Sequence, residues 1–311
     1  MEIIANTVQF YLQKETAAAI GKFDGIHMGH RRLLEEILSR KKDGMAACVF
    51  TFEPSPAVLF GGGTQEGQAL SRYVLNTRDE KRFLFERMGV DILIEFPLDR
   101  ETAAIPPRKF VYEILAKQMN LRFLAAGKDV SFGAKGAGSE ALLRELGPMM
   151  GFDVKTIDKV CLDGREVSST LVRSKVEEGD MGTVEQLLGM PYMIAGKVER
   201  GNRIGRTLGF PTINIRPGEH KLLPPRGVYF SQVRFGGKMY RAISNVGCKP
   251  TVSENQVVWV ETFLYDFEEE IYGQDVQVYL CAFHRPERRF DSLEALRNQL
   301  REDIRQGAAF R

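Results

Sequence analysis

His27 and His30 are the residues from which chemistry can be argued first. They close the run Gly21-Lys22-Phe23-Asp24-Gly25-Ile26-His27-Met28-Gly29-His30, in a chain with four histidines in all. Three residues apart on a first helical turn, they face one way. Orphan N–H groups and the positive end of the helix dipole attract phosphate at that place, and Gly21, Gly25 and Gly29 let the backbone approach a ligand closely. Zinc is the competing chemistry, but a zinc site needs a third or fourth ligand. Only Asp24 is near; His220 and His284 are remote, and no cysteine is close. Ser168, Ser169 and Thr170, followed one turn later by Arg173, form a second candidate anion site at a helix start; alone, the same pattern is an ordinary capped helix.

A third constellation is of another kind. Glu261 lies in Val257-Val258-Trp259-Val260-Glu261-Thr262-Phe263-Leu264. Alternation puts it on one face with Trp259 and Phe263, where a carboxylate among aromatics can serve as a general base. The plain alternative is a surface glutamate on an edge strand. Glycines 196, 201, 205 and 209, with Arg203 and Arg206, make a basic loop of phosphate size. Pro211-Thr212-Ile213-Asn214 follows, and the Thr212 hydroxyl and Asn214 amide are oxygen donors of the hard kind that magnesium prefers. No G-x-x-x-x-G-K-(S/T) loop is present.

The elements that must position these residues change character along the chain. Residues 1–182 alternate strand-like and helix-like segments, the pattern of a parallel sheet with helices on both faces. Strands are expected at 17–20, 45–52, 90–96, 122–126 and 154–160. Helices are expected from about Leu33, then at 76–88, 106–119, 140–150 and 169–178. The motifs fall at strand ends, where ligands bind in open α/β sheets. From Ile194 onward short alternating runs at 227–235, 238–245, 257–266 and 275–283 read as a small antiparallel β-barrel, and 293–304 as a terminal helix. A loop or helix around 183–190 joins domains 1–182 and 183–311, and Gly61 to Gly67 reads as a mobile loop.

Composition excludes several classes. Lys and Arg number 43 against 41 Asp and Glu, a net charge of +2. That, with no basic tail and no interleaving of aromatic and basic residues, argues against nucleic acid. No signal peptide or membrane span is evident, so a cytoplasmic protein is expected. Cys48, Cys161, Cys248 and Cys281 are scattered; Cys48 and Cys161 lie in apolar runs and are expected as buried thiols. The sequence leaves homo-oligomerisation open.

The histidine run resembles the H-x-G-H signature of nucleotidylyltransferases, in the form found in prokaryotic bifunctional riboflavin kinase/FAD synthetases. Phe52-Glu53-Pro54-Ser55-Pro56, Gly127-Lys128-Asp129-Val130-Ser131-Phe132-Gly133 and Ser168-Ser169-Thr170-Leu171-Val172-Arg173 are similar to further motifs of that family. So are Gly205-Arg206-Thr207-Leu208-Gly209-Phe210-Pro211-Thr212-Ile213-Asn214 and the stretch Phe283 to Ser292. The resemblance covers nearly the whole chain. It implies an α/β, Rossmann-like nucleotidylyltransferase domain and a C-terminal antiparallel β-barrel with a terminal helix, which use ATP and Mg2+ to turn riboflavin into FMN and FMN into FAD. On it, Gly21, Phe23, Asp24, Gly25, His27, His30, Ser168, Ser169, Thr170 and Arg173 bind ATP for adenylyl transfer, with both histidines stabilising developing charge, and Asp129 and Phe132 face the flavin. In the kinase, Gly205, Arg206, Pro211, Thr212 and Asn214 hold ATP and magnesium, Glu261 is the base, and Arg285, Glu287 and Phe290 shape the flavin side. Ser55 stands where the family usually has histidine, Lys128 and Val130 replace common neighbours of Asp129, and Ala134 and Ala137 stand where basic residues are usual. These departures leave two alternatives open: a chain in which only the kinase half turns over, and a non-catalytic flavin- or nucleotide-binding regulator.

Overall fold

The computed structural model describes residues 1–54, 73–201, 209–248 and 257–310. Ser55, Gly61–Gly67, Gly205 and Arg206 lie outside the described residues. The chain divides into two compact units, Met1–Ser169 and Thr170–Arg311. The expected division after residue 182 falls further along, inside the helix Met181–Leu188.

The first unit is a six-stranded parallel sheet. Its strands are β1 (Glu2–Ala5), β2 (Thr16–Ile20), β3 (Ala46–Glu53), β4 (Ile92–Pro97), β5 (Leu121–Gly127) and β6 (Asp153–Ile157), in the order β1-β4-β3-β2-β5-β6. β2 is buried along its whole length, as a central parallel strand covered on both faces must be. It is also where the strand order turns: β3 and β4 lie to one side, β5 and β6 to the other. The carboxyl ends of β2 and β5 therefore flank the crevice that such a reversal opens. Phe50, Phe96, Phe110 and Phe132 pack ring to ring beneath it, with centroids 5.3 Å apart for Phe50–Phe96, 5.5 Å for Phe50–Phe110 and 5.4 Å for Phe110–Phe132.

Local chemistry sets the helix ends. The helix Arg78–Met88 begins in a capping box: the Glu80 N–H donates to the Thr77 hydroxyl (3.3 Å), and the Thr77 N–H donates to the Glu80 carboxylate (3.0 Å). Its Arg78 and Arg82 reach the buried Glu95 on β4. The helix expected over 106–119 arrives as Pro107–Lys109, then widens to π pitch over Phe110–Gln118 and buries Phe110, Val111, Ile114 and Leu115. β1 and the hairpin of β7 (Cys161–Leu162) with β8 (Arg165–Glu166) were not expected from the sequence. The hairpin corrects one expectation: Cys161 sits on a short solvated strand and is exposed, whereas Cys48 is buried on β3. Burial pushes the Cys48 thiol up, out of the reactive range.

The second unit opens with the helices Ser169–Glu178 and Met181–Leu188, the latter capped by Asp180, whose carboxylate accepts from the Thr183 N–H at 3.1 Å. Six antiparallel strands then close a barrel: β9 (Tyr192–Glu199), β10 (Thr212–Ile215), β11 (Gly227–Phe235), β12 (Lys238–Cys248), β13 (Val258–Leu264) and β14 (Asp275–Pro286). Around the barrel the order is β10-β13-β12-β11-β14-β9. Inside, the hydroxyls of Ser231, Ser244 and Thr262 form a chain across β11, β12 and β13, each link 2.8 Å long and buried.

The helix Leu293–Ala309 closes the unit, capped by the Ser292 hydroxyl. Gly307 lets it approach closely, since a Cβ there would lie 2.6 Å from both Ile243 and Tyr265. Asp303, on this helix, takes a forked pair of hydrogen bonds from Arg285 of β14 (Nε 3.0 Å, Nη2 2.6 Å) and one from Gln299 (2.8 Å). Burial works against the charged carboxylate, yet these bonds outweigh it and hold Asp303 below the ordinary carboxylate range. Asp303→Ala strands the Arg285 charge and should cost about 3–5 kcal/mol. Urea unfolding followed by the fluorescence of Trp259 on β13, the sole tryptophan, checks this. The contribution is complete above the unfolded carboxyl pKa of about 4 and fades as pH falls further, so wild type and variant should converge in acid.

Candidate active sites

In the first unit the loop after β2 is held in an uncommon conformation, with φ of 48° at Phe23, 91° at Gly25 and 39° at Ile26. Its residues divide by task. Phe23 is fully buried, its ring 5.1 Å from that of His30 and edge-on to Phe85 at 5.4 Å. Asp24 turns away from the crevice: its carboxylate accepts from the Leu75 N–H at 2.7 Å, and its carbonyl accepts from the Ser169 hydroxyl at 2.7 Å. Phe23, Asp24 and Gly25 thus brace the loop, while Gly21, Lys22, His27 and His30 line a cleft of about 690 Å³.

His27 caps the helix Met28–Ser39, and His30 lies in its first turn. The two imidazoles stack, with centroids 3.8 Å apart and planes at 20°. His27 is 8% exposed. Among the described residues, the Nδ1 atoms of both rings are buried with no hydrogen-bond partner. A native fold seldom leaves buried polar atoms unsatisfied unless a ligand or water completes them. Burial draws His27 down to about 4, with Asp129 opposing, and draws His30 well below its ordinary value, with His27 adding to the effect. Both rings are therefore neutral at pH 7. No acidic residue lies in the first turn of this helix, so no carboxylate of its own competes for its N–H groups.

Asp129 and Phe132, from the loop after β5, line the same cleft, as do Ser168 and Ser169. The Asp129 carboxylate folds back onto Gly127, where a Cβ would lie 2.8 Å from Oδ1. Thr170 and Arg173 continue the helix that Ser169 opens and belong to the second unit. Sequence reasoning missed Lys135, Lys159 and Glu166, which also line the cleft. Lys22 stood inside the quoted run, but its role could not be separated from that of its neighbours.

In the barrel, Val260, Thr262 and Leu264 are buried inward, so Trp259, Glu261 and Phe263 face out, as alternation expects. Glu261 pairs across strands with Asn214 of β10 and with Asn245 of β12, which in turn pairs with Val228, and Val228 with Arg285. Directly opposed residues share a face, so one rung carries Asn214, Glu261, Asn245 and Arg285. Glu287 joins it from beyond β14, accepting from the Asn245 amide at 3.2 Å. Thr212, Asn214 and Pro211 line a cleft of about 260 Å³ with Glu268, Glu269, Glu270 and Tyr272; Glu261 lies beside that cleft and outside its lining. Arg285 is committed to Asp303, which makes it an anchor of the terminal helix, and Phe290 is half-buried ahead of that helix.

A parallel α/β unit with a partnerless histidine pair at its switch point, followed by a closed barrel with a polar outward rung, defines a two-domain transferase. A riboflavin kinase family model matches residues 188–310, and a FAD synthetase family model matches residues 10–171. The chain belongs to the bifunctional riboflavin kinase/FMN adenylyltransferase family. Relatives of that name are 34% identical over 296 residues in Haemophilus influenzae, covering 94% of each chain, and 36% identical over 293 residues in Escherichia coli K12, covering 94% of this chain and 91% of the relative. A solved structure from Streptococcus pneumoniae, named a macrolide-efflux protein, is similar with TM-score 0.83 at 27% identity over 99% of both chains. Among the described residues, no helix of the present chain is long and apolar enough to cross a membrane. The expected fold, an α/β nucleotidylyltransferase-like domain followed by an antiparallel barrel with a terminal helix, is the one observed.

Proposed function

We propose that the barrel unit phosphorylates riboflavin to FMN and the α/β unit adenylylates FMN to FAD, each with ATP and Mg2+, in the cytoplasm. What carries this reading is the stacked pair His27 and His30, which line a cleft large enough for a dinucleotide at a helix start.

In adenylyl transfer a phosphate oxygen of FMN attacks the α-phosphorus of ATP, and pyrophosphate leaves. The chain supplies position and donors rather than a covalent nucleophile. Neutral imidazoles can donate to the triphosphate, joined by the N–H groups of the helix Met28–Ser39 and by Ser168 and Ser169. Phe132 and the neighbouring aromatic rings offer the flavin an apolar wall, with Asp129 at its edge.

In the kinase the riboflavin hydroxyl attacks the γ-phosphorus, Glu261 accepts the proton, and ADP leaves. Thr212 and Asn214 fit magnesium by donor type. Magnesium held in part by substrate phosphates would need only one or two protein oxygens, which Thr212 and Asn214 would supply. When bound, the metal would neutralise charge on the transferring phosphoryl group. Within the chain, Asn214 stands 2.6 Å from the point where a Cβ on Gly201 would lie, so Gly201 keeps room beside that amide. Glu287 orients the Asn245 amide next to Glu261.

The test is one chromatographic assay of the full-length protein. Riboflavin with ATP and magnesium should yield FMN and then FAD, and supplied FMN should yield FAD. FMN without FAD leaves a kinase alone; neither product refutes both assignments.

A further inference from the structure

The adenylyl-transfer cleft must take up polyanions, yet its lining is balanced: Lys22, Lys135 and Lys159 face Asp129, Asp158 and Glu166, while both histidines are neutral. A lysine without a carboxylate partner can meet a phosphate at once, whereas a paired one becomes available only when its carboxylate is displaced. The pairs differ in how easily they can do this. Asp158 is matched by Lys128, which is not part of the lining. Lys22 and Lys135 have no ion pair among the described residues. Lys159 alone of the lining lysines is tied to a lining carboxylate, with its Nζ 2.6 Å from Glu166 Oε1.

The backbone fixes that pair in the lining. Glu166 pairs with Cys161 in the β7–β8 hairpin, and the Val167 N–H donates to the Val160 carbonyl at 2.8 Å. The chain then runs into Ser168 and Ser169, whose hydroxyl is pinned to the Asp24 carbonyl. Lys159 and Glu166 are each about half exposed, at 49% and 46%, so the bond between them is weak and exchangeable. A phosphate group carries more charge than a carboxylate and takes a lysine readily. Asp129 is close enough to Lys159 to favour its charged form.

We infer that Lys159 is a phosphate-binding residue of the adenylyl-transfer cleft and that Glu166 is its resident substitute anion, displaced when a substrate phosphate arrives. The ligand chemistry is a phosphate monoester or anhydride, carried by either FMN or ATP. The inference rests on the adenylyltransferase reading above.

Steady-state kinetics of the full-length protein test it, with KM measured separately for ATP and for FMN. Glu166→Gln frees the lysine, so KM for the substrate that carries the phosphate should fall about threefold to fivefold, and the gain should shrink as salt is raised. Lys159→Met should raise the same KM about tenfold, and the double variant should match Lys159→Met alone. Whichever KM moves identifies the phosphate. Riboflavin kinase activity should be equal in all three variants, which reports intact folding. An unchanged or raised KM in Glu166→Gln overturns the inference. So does a KM that still falls when Glu166→Gln is added to Lys159→Met, because the carboxylate would then act without the lysine. A wild-type protein that makes FMN but no FAD refutes the adenylyltransferase reading instead, and is told apart from these outcomes by the wild-type rate alone.

Discussion

Glu261→Ala should stop FMN formation from riboflavin, lowering kcat by about a hundredfold to ten-thousandfold, while conversion of supplied FMN to FAD persists. The size of the effect follows from position. Glu261 faces outward on β13 between Asn214 and Asn245, next to the cleft that Thr212 and Asn214 line. An alanine removes the carboxylate that stands between Asn214 and Asn245; the other carboxylates of that rung, Glu199 opposite Asn214 and Glu287 bonded to the Asn245 amide, are not directly opposite that position. The fold should tolerate the change: Glu261 is only partly buried, and the barrel interior is built by Val260, Thr262 and Leu264. Glu261→Gln should behave alike in kcat while keeping KM for riboflavin near wild type. Loss of both activities in a folded Glu261→Ala protein would contradict the assignment of the two reactions to separate units.

His27→Ala should do the converse. FAD formation should fall about a hundredfold to a thousandfold, the cost of losing a donor aimed at developing charge, while riboflavin phosphorylation is unaffected. A second consequence is readable in stability. An unfolded chain protonates its histidines near 6.5, whereas in the fold His27 takes a proton only near 4 and burial holds His30 well below its ordinary value too. The contribution of these neutral rings is whole above 6.5 and is lost as pH falls toward 4. Wild type should therefore soften across that interval more than His27→Gln, as measured by thermal unfolding in a pH series. Equal slopes for the two proteins would remove the claim that burial sets the charge of the pair.

Much of this was legible in the sequence, and what was not has definite causes. Helix 140–150 and strand 227–235 could be read to the residue, because local signals mark both ends: Ser139 caps one and turn glycine and proline bound the other. That His27 and His30 face one way follows from spacing; that their rings stack does not. β1 and β10 were missed as strands, since each has four residues and exists only through a distant partner; short-strand propensity is a weak signal without that partner. Thr212 and Asn214 were recognised as donors, but that the pairing would set Asn214 directly opposite Glu261 could not be read from spacing. Lys159 and Glu166 were overlooked because seven positions of ordinary charged sequence hide a hairpin. The exposure of Cys161 has the same origin. The anchoring of Arg285 to Asp303 depends on a helix folding back on the barrel, which no local pattern announces.

The interior chain of Ser231, Ser244 and Thr262 has a consequence for how the barrel can fail. Side chains alternate with a period of two, so a strand that slid by one residue would turn those hydroxyls toward water and carry Glu261 into the apolar interior. A mis-threaded copy would lose its inner bonds and the carboxylate proposed as proton acceptor in the same step. Such molecules would be inert toward every alcohol rather than careless among them, and errors in folding would subtract from yield without adding unwanted products.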